Sequence, residues 1–166
     1  MGVAGCGKSS LGLAVATAEG LPFFEGDEFH SPRSRQKMAE GIALTDADRV
    51  QWLRRIAGQL AAHPQGVVGT CSALKRAYRG QLRQAAPGLR FVFLELPRDV
   101  ALQRVAGRAH HFFSPALVDD QFATLESPEG EAGVLCVDAR EPIFVLQRRV
   151  HEWLRGDGPP SATPPR

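Results

Sequence analysis

This chain predicts an α/β domain, a three-layer arrangement in which helices cover both faces of a parallel sheet. Three observations carry that expectation. Short apolar runs alternate with longer segments of helical periodicity, as repeated strand–helix units do. The first helical segment follows directly on a glycine-rich turn, Gly2-Val3-Ala4-Gly5-Cys6-Gly7. The length, 166 residues with 43% hydrophobic content, suits one core shared between layers.

The elements follow in order. Ser9 to Glu19 reads SSLGLAVATAE and places Leu11, Ala14, Val15 and Ala18 at helical spacing. A strand ordinarily feeds such a glycine turn, and only Met1, Gly2 and Val3 precede it, so the first strand is expected to be truncated. Strands are predicted at 22–25, 66–70, 90–95 and 133–137, each a short apolar run bounded by polar, Gly or Pro residues. Helices are predicted at 46–62, 73–85, 98–108, 115–125 and 141–155. No internal repeat is present. Residues 1–155 read as a single domain, and 156–166 as a disordered tail, since GDGPPSATPPR has four prolines and no apolar side chain larger than alanine.

Composition narrows the functional classes. A formal charge of +2 is too small to predict a nucleic-acid partner, and no apolar run approaches the roughly 18 residues that span a bilayer. The three cysteines, Cys6, Cys71 and Cys136, cannot all pair and show no metal-ligand spacing, which predicts a reducing, cytoplasmic setting. The Met1-Gly2 start fits an acylation signal poorly, because Cys6 stands where that pattern wants Ser or Thr. Ser9, Ser10, Gly12 and Glu19 likewise interrupt any secretion-type apolar stretch.

The chemistry begins in the glycine turn. Gly2 to Ser9 matches G-x-x-x-x-G-K-[ST], in which backbone N–H groups cradle phosphates, Lys8 reaches the β/γ-phosphates and the Ser9 hydroxyl ligates Mg²⁺. The helix that follows aims its positive end at the same anion. Other candidates lie just after strands, where ligands of open α/β sheets bind. Glu25, Asp27, Glu28 and His30 follow the 22–25 strand: one acid can take a proton from an acceptor hydroxyl and another can hold the metal's water shell, the alternative being a solvated turn. Lys75 and Arg79, four apart, can hold an anionic substrate group or form an ordinary charged helix face. Arg104 and Arg108, ahead of His110 and His111, can close over phosphates as a lid or simply complement a helix C-terminus.

Taken in order, the segments GVAGCGKSS, GDEFHSP…KMAEGIALTDADRVQWL, CSALKRAYRGQLR, RVAGRAHHFF and LVDDQFATLESP resemble those of the small, thermoresistant-type bacterial gluconokinases over nearly the whole chain. The resemblance implies a P-loop NTPase fold of the nucleoside-kinase-like kind with a small lid at about 104–126. It implies transfer of the γ-phosphoryl of ATP to the 6-hydroxyl of D-gluconate, giving 6-phosphogluconate for carbohydrate-acid catabolism. By the same resemblance Gly5, Cys6, Gly7, Lys8, Ser9 and Ser10, with Arg104 and Arg108, hold ATP, and Ser9 holds Mg²⁺. Lys8, Asp27 and Arg108 are then the catalytic residues, and Asp27, His30, Lys37, Arg49, Lys75, Arg79 and His111 line the substrate side, with Asp48 among the matching positions. A homodimer is also implied. The alternatives are a related kinase of the shikimate type and a non-catalytic nucleotide-binding paralogue.

Overall fold

The structure, a computed structural model, describes residues 1–107 and 113–156. Helix α1, Lys8–Glu19, starts at Gly7 and stops at Gly20, both left-handed, where the Gly20 N–H caps the carbonyls of Ala16 and Thr17. Strand β1, Phe23–Glu25, runs into a 3-10 turn over Gly26–Phe29. Helix α2, Pro32–Ala39, is opened by Ser31, whose hydroxyl accepts from Ser34 N with Pro32 in the first turn. Helix α3, Asp46–Ala61, is opened by a reciprocal capping box between Thr45 and Asp48. Then come β2 (Val68–Thr70), α4 (Arg76–Ala85), β3 (Phe91–Glu95) and α5 (Arg98–Ala106). A 3-10 turn at Pro115–Leu117, α6 (Val118–Thr124), β4 (Val134–Asp138) and α7 (Ile143–Arg155) complete the described residues.

The four strands lie within the predicted runs to within a residue or two. Helix α2 and the 3-10 turn before it were not anticipated, because PRSRQKMA buries only Ser34 and Met38 and so carries no apolar stripe. The segment predicted as one helix over 115–125 divides into a 3-10 turn and α6. The helix predicted from residue 73 begins only at Arg76, after Ala73 takes a left-handed φ of 45°. Of the predicted tail, 157–166 lies outside the described residues.

All strand pairing among the described residues is parallel, in two pairs. β1 lies beside β2 with Phe23 opposite Val68, and β3 beside β4 with Phe91 opposite Val134. Side chains alternate across β3. Phe91 and Phe93 pack with Trp52, Ile56, Tyr78 and Leu82 of α3 and α4, whereas Leu94 packs with Leu11, Val15, Leu146 and Val150 of α1 and α7. Helices therefore cover both faces, as the sequence predicts. Between the two pairs, among the described residues, runs the start of the chain: Leu94 N donates to Met1 O at 3.0 Å and Gly2 N to Ser72 O at 3.2 Å.

Candidate active site

The Gly2–Ser9 turn crosses the carboxyl end of this interrupted sheet. Gly7 has φ 92°, and a Cβ placed there would meet nothing within 4 Å, so the backbone leaves an open, left-handed concavity at the start of α1. No acidic side chain stands in the first turn of α1, which leaves the positive end of the helix for an anion. Lys8 lies over the turn, its Nζ donating to the carbonyls of Gly2 at 3.1 Å and Val3 at 2.9 Å. Gly5, Gly7, Lys8 and Ser9 all face one cleft.

The opposite wall of that cleft comes from the end of β1. Gly26 sits so close to β2 that a Cβ would lie 2.0 Å from Thr70 O, and its N–H donates to Thr70 Oγ1 at 3.1 Å. Thr70 Oγ1 in turn donates to Glu25 Oε2 at 2.5 Å, so Glu25 is held as part of the wall. The next turn projects Asp27, whose side chain keeps 45% of its exposure and stands 3.8 Å from His30 Nε2. Trp52 of α3 donates its indole N–H to Gly26 O at 2.7 Å and stacks on His30, the rings 4.5 Å apart and 10° from parallel. Burial pushes the His30 imidazole down to about 4, against the pull of Asp27, so the ring is neutral at pH 7. Its Nδ1 is buried and has no protein partner. Arg49 completes this side, its guanidinium hydrogen-bonded to Leu44 O.

The structure thus brings Gly5, Gly7, Lys8, Ser9, Asp27, His30 and Arg49 to one cleft, and places the other described candidates outside its lining. Arg79 is wholly buried and engaged by protein groups. Its guanidinium donates to Glu131 at 2.5 Å, to the carbonyls of Ala73 and Leu74 at 2.9 and 3.0 Å, and to Glu126 O at 3.1 Å. The hydrogen bond from Arg79 holds the Glu131 carboxyl down at about 2, with Arg83 and Arg76 assisting. Lys37 is outside the cleft lining, spending its charge on both oxygens of Asp48 at 2.9 Å and holding that carboxyl well below its usual range. Lys75, likewise outside the lining, grips Asp46 at 2.8 Å, to which the Tyr78 hydroxyl also donates. Arg104 ties the turn from another side, donating to Gly5 O at 3.4 Å and Ala139 O at 3.2 Å. The Cys6 side chain is core, and Ser10 points to solvent. Arg108 and His111 lie outside the described residues, as does the middle of the predicted lid.

Several cleft residues were not assigned from sequence. Trp52, Ser72, Asp120 and Gln121 all line it, and Gln121 Oε1 accepts from Ala4 N at 2.6 Å, pinning the glycine turn to α6. For Asp120 and Gln121 the signal lay within LVDDQFATLESP, and for Trp52 and Ser72 within the DADRVQWL and CSALK segments, whose motif character was legible while the role of individual residues was not. Among the described residues no three His, Cys, Asp or Glu side chains are grouped to hold a metal. Mg²⁺ asks for only one or two protein oxygens beside phosphate and water, and Ser9, Asp27 and Asp120 line the cleft.

A glycine-cradled anion site facing a carboxylate across one cleft, on a parallel sheet, defines a phosphate-loop kinase. The fold agrees with that class: the structure of a deoxyadenosine kinase from M. mycoides superposes with a TM-score of 0.60 over 94% of this chain and 96% of that one, at 10% identity. The sequence model of the shikimate kinase family matches residues 4–130. A gluconokinase of Gluconobacter oxydans is 38% identical over 163 residues, 95% of this chain and 90% of that protein. The crystal structure of a gluconokinase from Sinorhizobium meliloti superposes with a TM-score of 0.83 at 46% identity, covering 94% of this chain and 93% of that one. The chain belongs to the gluconokinase family. Among the described residues no helix is long and apolar enough to cross a membrane.

Proposed function

We propose that the protein transfers the γ-phosphoryl group of ATP to the 6-hydroxyl of D-gluconate. The observation that carries this reading is that Lys8 and Ser9 face Asp27, His30 and Arg49 across one cleft. Phosphoryl transfer asks chiefly for positioning and charge neutralisation, and these residues supply both. Lys8 exchanges the Gly2 and Val3 carbonyls for β/γ-phosphate oxygens. Asp27 takes the proton of the 6-hydroxyl as that oxygen bonds to the γ-phosphorus and the bond to the ADP oxygen breaks. Arg49, the cation lining the substrate wall, receives the gluconate carboxylate, and His30 offers its unpartnered Nδ1 to a polyol hydroxyl. Mg²⁺, held through Ser9, would neutralise charge on the transferring phosphates.

The setting we propose is the cytoplasm, consistent with three free cysteines, and a homodimer in line with the family. The test is product identity. ³¹P NMR of gluconate incubated with ATP, Mg²⁺ and enzyme is expected to show a phosphomonoester coupled to the C6 protons, absent with Lys8→Ala. A product phosphorylated elsewhere, or ATP hydrolysis without a sugar phosphate, would overturn the reading.

A further inference from the structure

The glycine turn is held between α5 and α6. On the α5 side the contact is close packing: a Cβ at Gly5 would lie 3.1 Å from Ala101 O and 3.3 Å from Val105 Cγ2, and Arg104 reaches Gly5 O at 3.4 Å. On the α6 side it is a hydrogen bond across 117 residues, from Ala4 N to Gln121 Oε1 at 2.6 Å. The transfer step as proposed makes no use of the Gln121 side chain.

Both ends of the peptide unit joining Val3 to Ala4 are engaged. Its carbonyl, Val3 O, accepts from Lys8 Nζ at 2.9 Å and from Cys6 N at 3.4 Å, and its N–H meets Gln121. A trans peptide is planar, so holding the N–H also sets where the carbonyl points. The need for such a hold is local: Gly2 and Gly5, on either side of this unit, have φ of 140° and 82°, and glycine backbone gives the plane freedom to rotate. When Lys8 leaves Val3 O for the β/γ-phosphates, the carbonyl end keeps the long bond from Cys6 N, and the bond to Gln121 is the short one that is left. Only the oxygen of the Gln121 amide can accept from Ala4 N, so the same bond fixes which way that amide is turned.

We infer that Gln121 is a positioning residue for nucleotide binding: its amide oxygen holds the Val3–Ala4 peptide plane, and with it the phosphate-binding turn, in one orientation while Lys8 is on the phosphates. The inference rests on the proposed reading that this turn takes the phosphates of ATP. Gln121 also lines the cleft, so a direct bond to the sugar acid is the competing role. The two roles give opposite signatures. A positioning residue for the turn raises the Kd for ATP and leaves the KM for gluconate in place, whereas a ligand of the sugar acid does the reverse.

The test compares Gln121→Leu, Gln121→Asn and Gln121→Glu with the parent. The first has no acceptor and the second withdraws it by one methylene, whereas Gln121→Glu keeps an oxygen at the same reach. In the nucleotide-free protein, hydrogen exchange at the Ala4 amide is expected to quicken about tenfold in Gln121→Leu and Gln121→Asn and to stay slow in Gln121→Glu. Calorimetry should show the Kd for ATP with Mg²⁺ rising on the order of tenfold in Gln121→Leu and Gln121→Asn, with the KM for gluconate at saturating ATP within about twofold of the parent. Unchanged exchange at Ala4 in those two variants, or fast exchange in Gln121→Glu, would overturn the inference. So would a raised KM for gluconate with unaltered ATP affinity, which would make Gln121 a ligand of the sugar acid. Equal ATP affinity in parent and variants would overturn the inference alone, whereas a parent that bound no ATP would overturn the phosphate reading and the inference with it.

Discussion

The carboxyl ends of the strands and the middle of the sheet are built on opposite terms. At the ends, polar groups are fixed by short local bonds, Lys8 on Gly2 and Val3, Glu25 on Thr70, Trp52 on Gly26, and they face one cleft. In the middle, aliphatic walls face a cavity of about 640 Å³ and the ladder is interrupted. The residues that line the cleft are fixed by local bonds at the strand ends. Turns such as Gly26, and the buried Arg79–Glu131 pair, hold it from outside the gap, so chemistry and stability should separate under mutation.

The largest effect should come from the site alone. Asp27→Asn keeps size and removes the proposed base, so kcat is expected to fall roughly 10²–10⁴-fold, while the melting temperature stays within a few degrees because the side chain is half exposed. A steady-state assay beside a thermal melt checks both. Arg79→Ala should do the reverse. Removing one partner from a buried ion pair typically costs about 3–5 kcal/mol, on the order of 10 °C for a domain of this size, while KM for gluconate in the folded fraction changes little. A raised KM with unaltered melting would return Arg79 to the substrate.

Trp52→Phe joins the two regions. The ring against His30 is kept, but Gly26 O loses its indole donor, and an unsatisfied buried carbonyl costs about 1–3 kcal/mol. Chemical denaturation should report that loss together with a modest rise in KM. The smallest effect is a pH signature. Glu131 has its pKa lowered in the fold to about 2, so its contribution is complete above the unfolded value near 4.5 and is lost as pH falls through 2. The gap in melting temperature between the parent and Glu131→Gln should therefore be widest at neutral pH and narrow from about pH 5 toward 2.

Local chemistry explains which parts were legible in sequence. The glycine turn, Lys8, Ser9 and Asp27 could be placed because each stands a fixed few residues from a strand end or helix start. The burial of Arg79 was not legible in sequence, for a local reason and a distant one. The four-residue spacing from Lys75 assumed a helix through residue 73, but α4 starts at Arg76, so Lys75 caps it while Arg79 turns inward. Its partner Glu131 is 52 residues away, a contact no periodicity announces. Gln121 is a similar case, since its bond to Ala4 spans 117 residues. Helix α2 was missed because its stripe is too polar, although Ser31-Pro32 marked its start.

The Lys8, Asp27 and Arg49 cleft is proposed to take a linear sugar acid. ADP release measured by a coupled assay with ATP, Mg²⁺ and, in turn, gluconate, glucose and shikimate tests it most directly. A carboxylate matched to a buried-edge cation is commonly worth about a hundredfold in discrimination. Gluconate is therefore expected to exceed glucose in kcat/KM by roughly that factor, with shikimate slower still, and Arg49→Ala should erase most of the preference. Equal turnover of glucose and gluconate, or a preference for shikimate, would contradict the account.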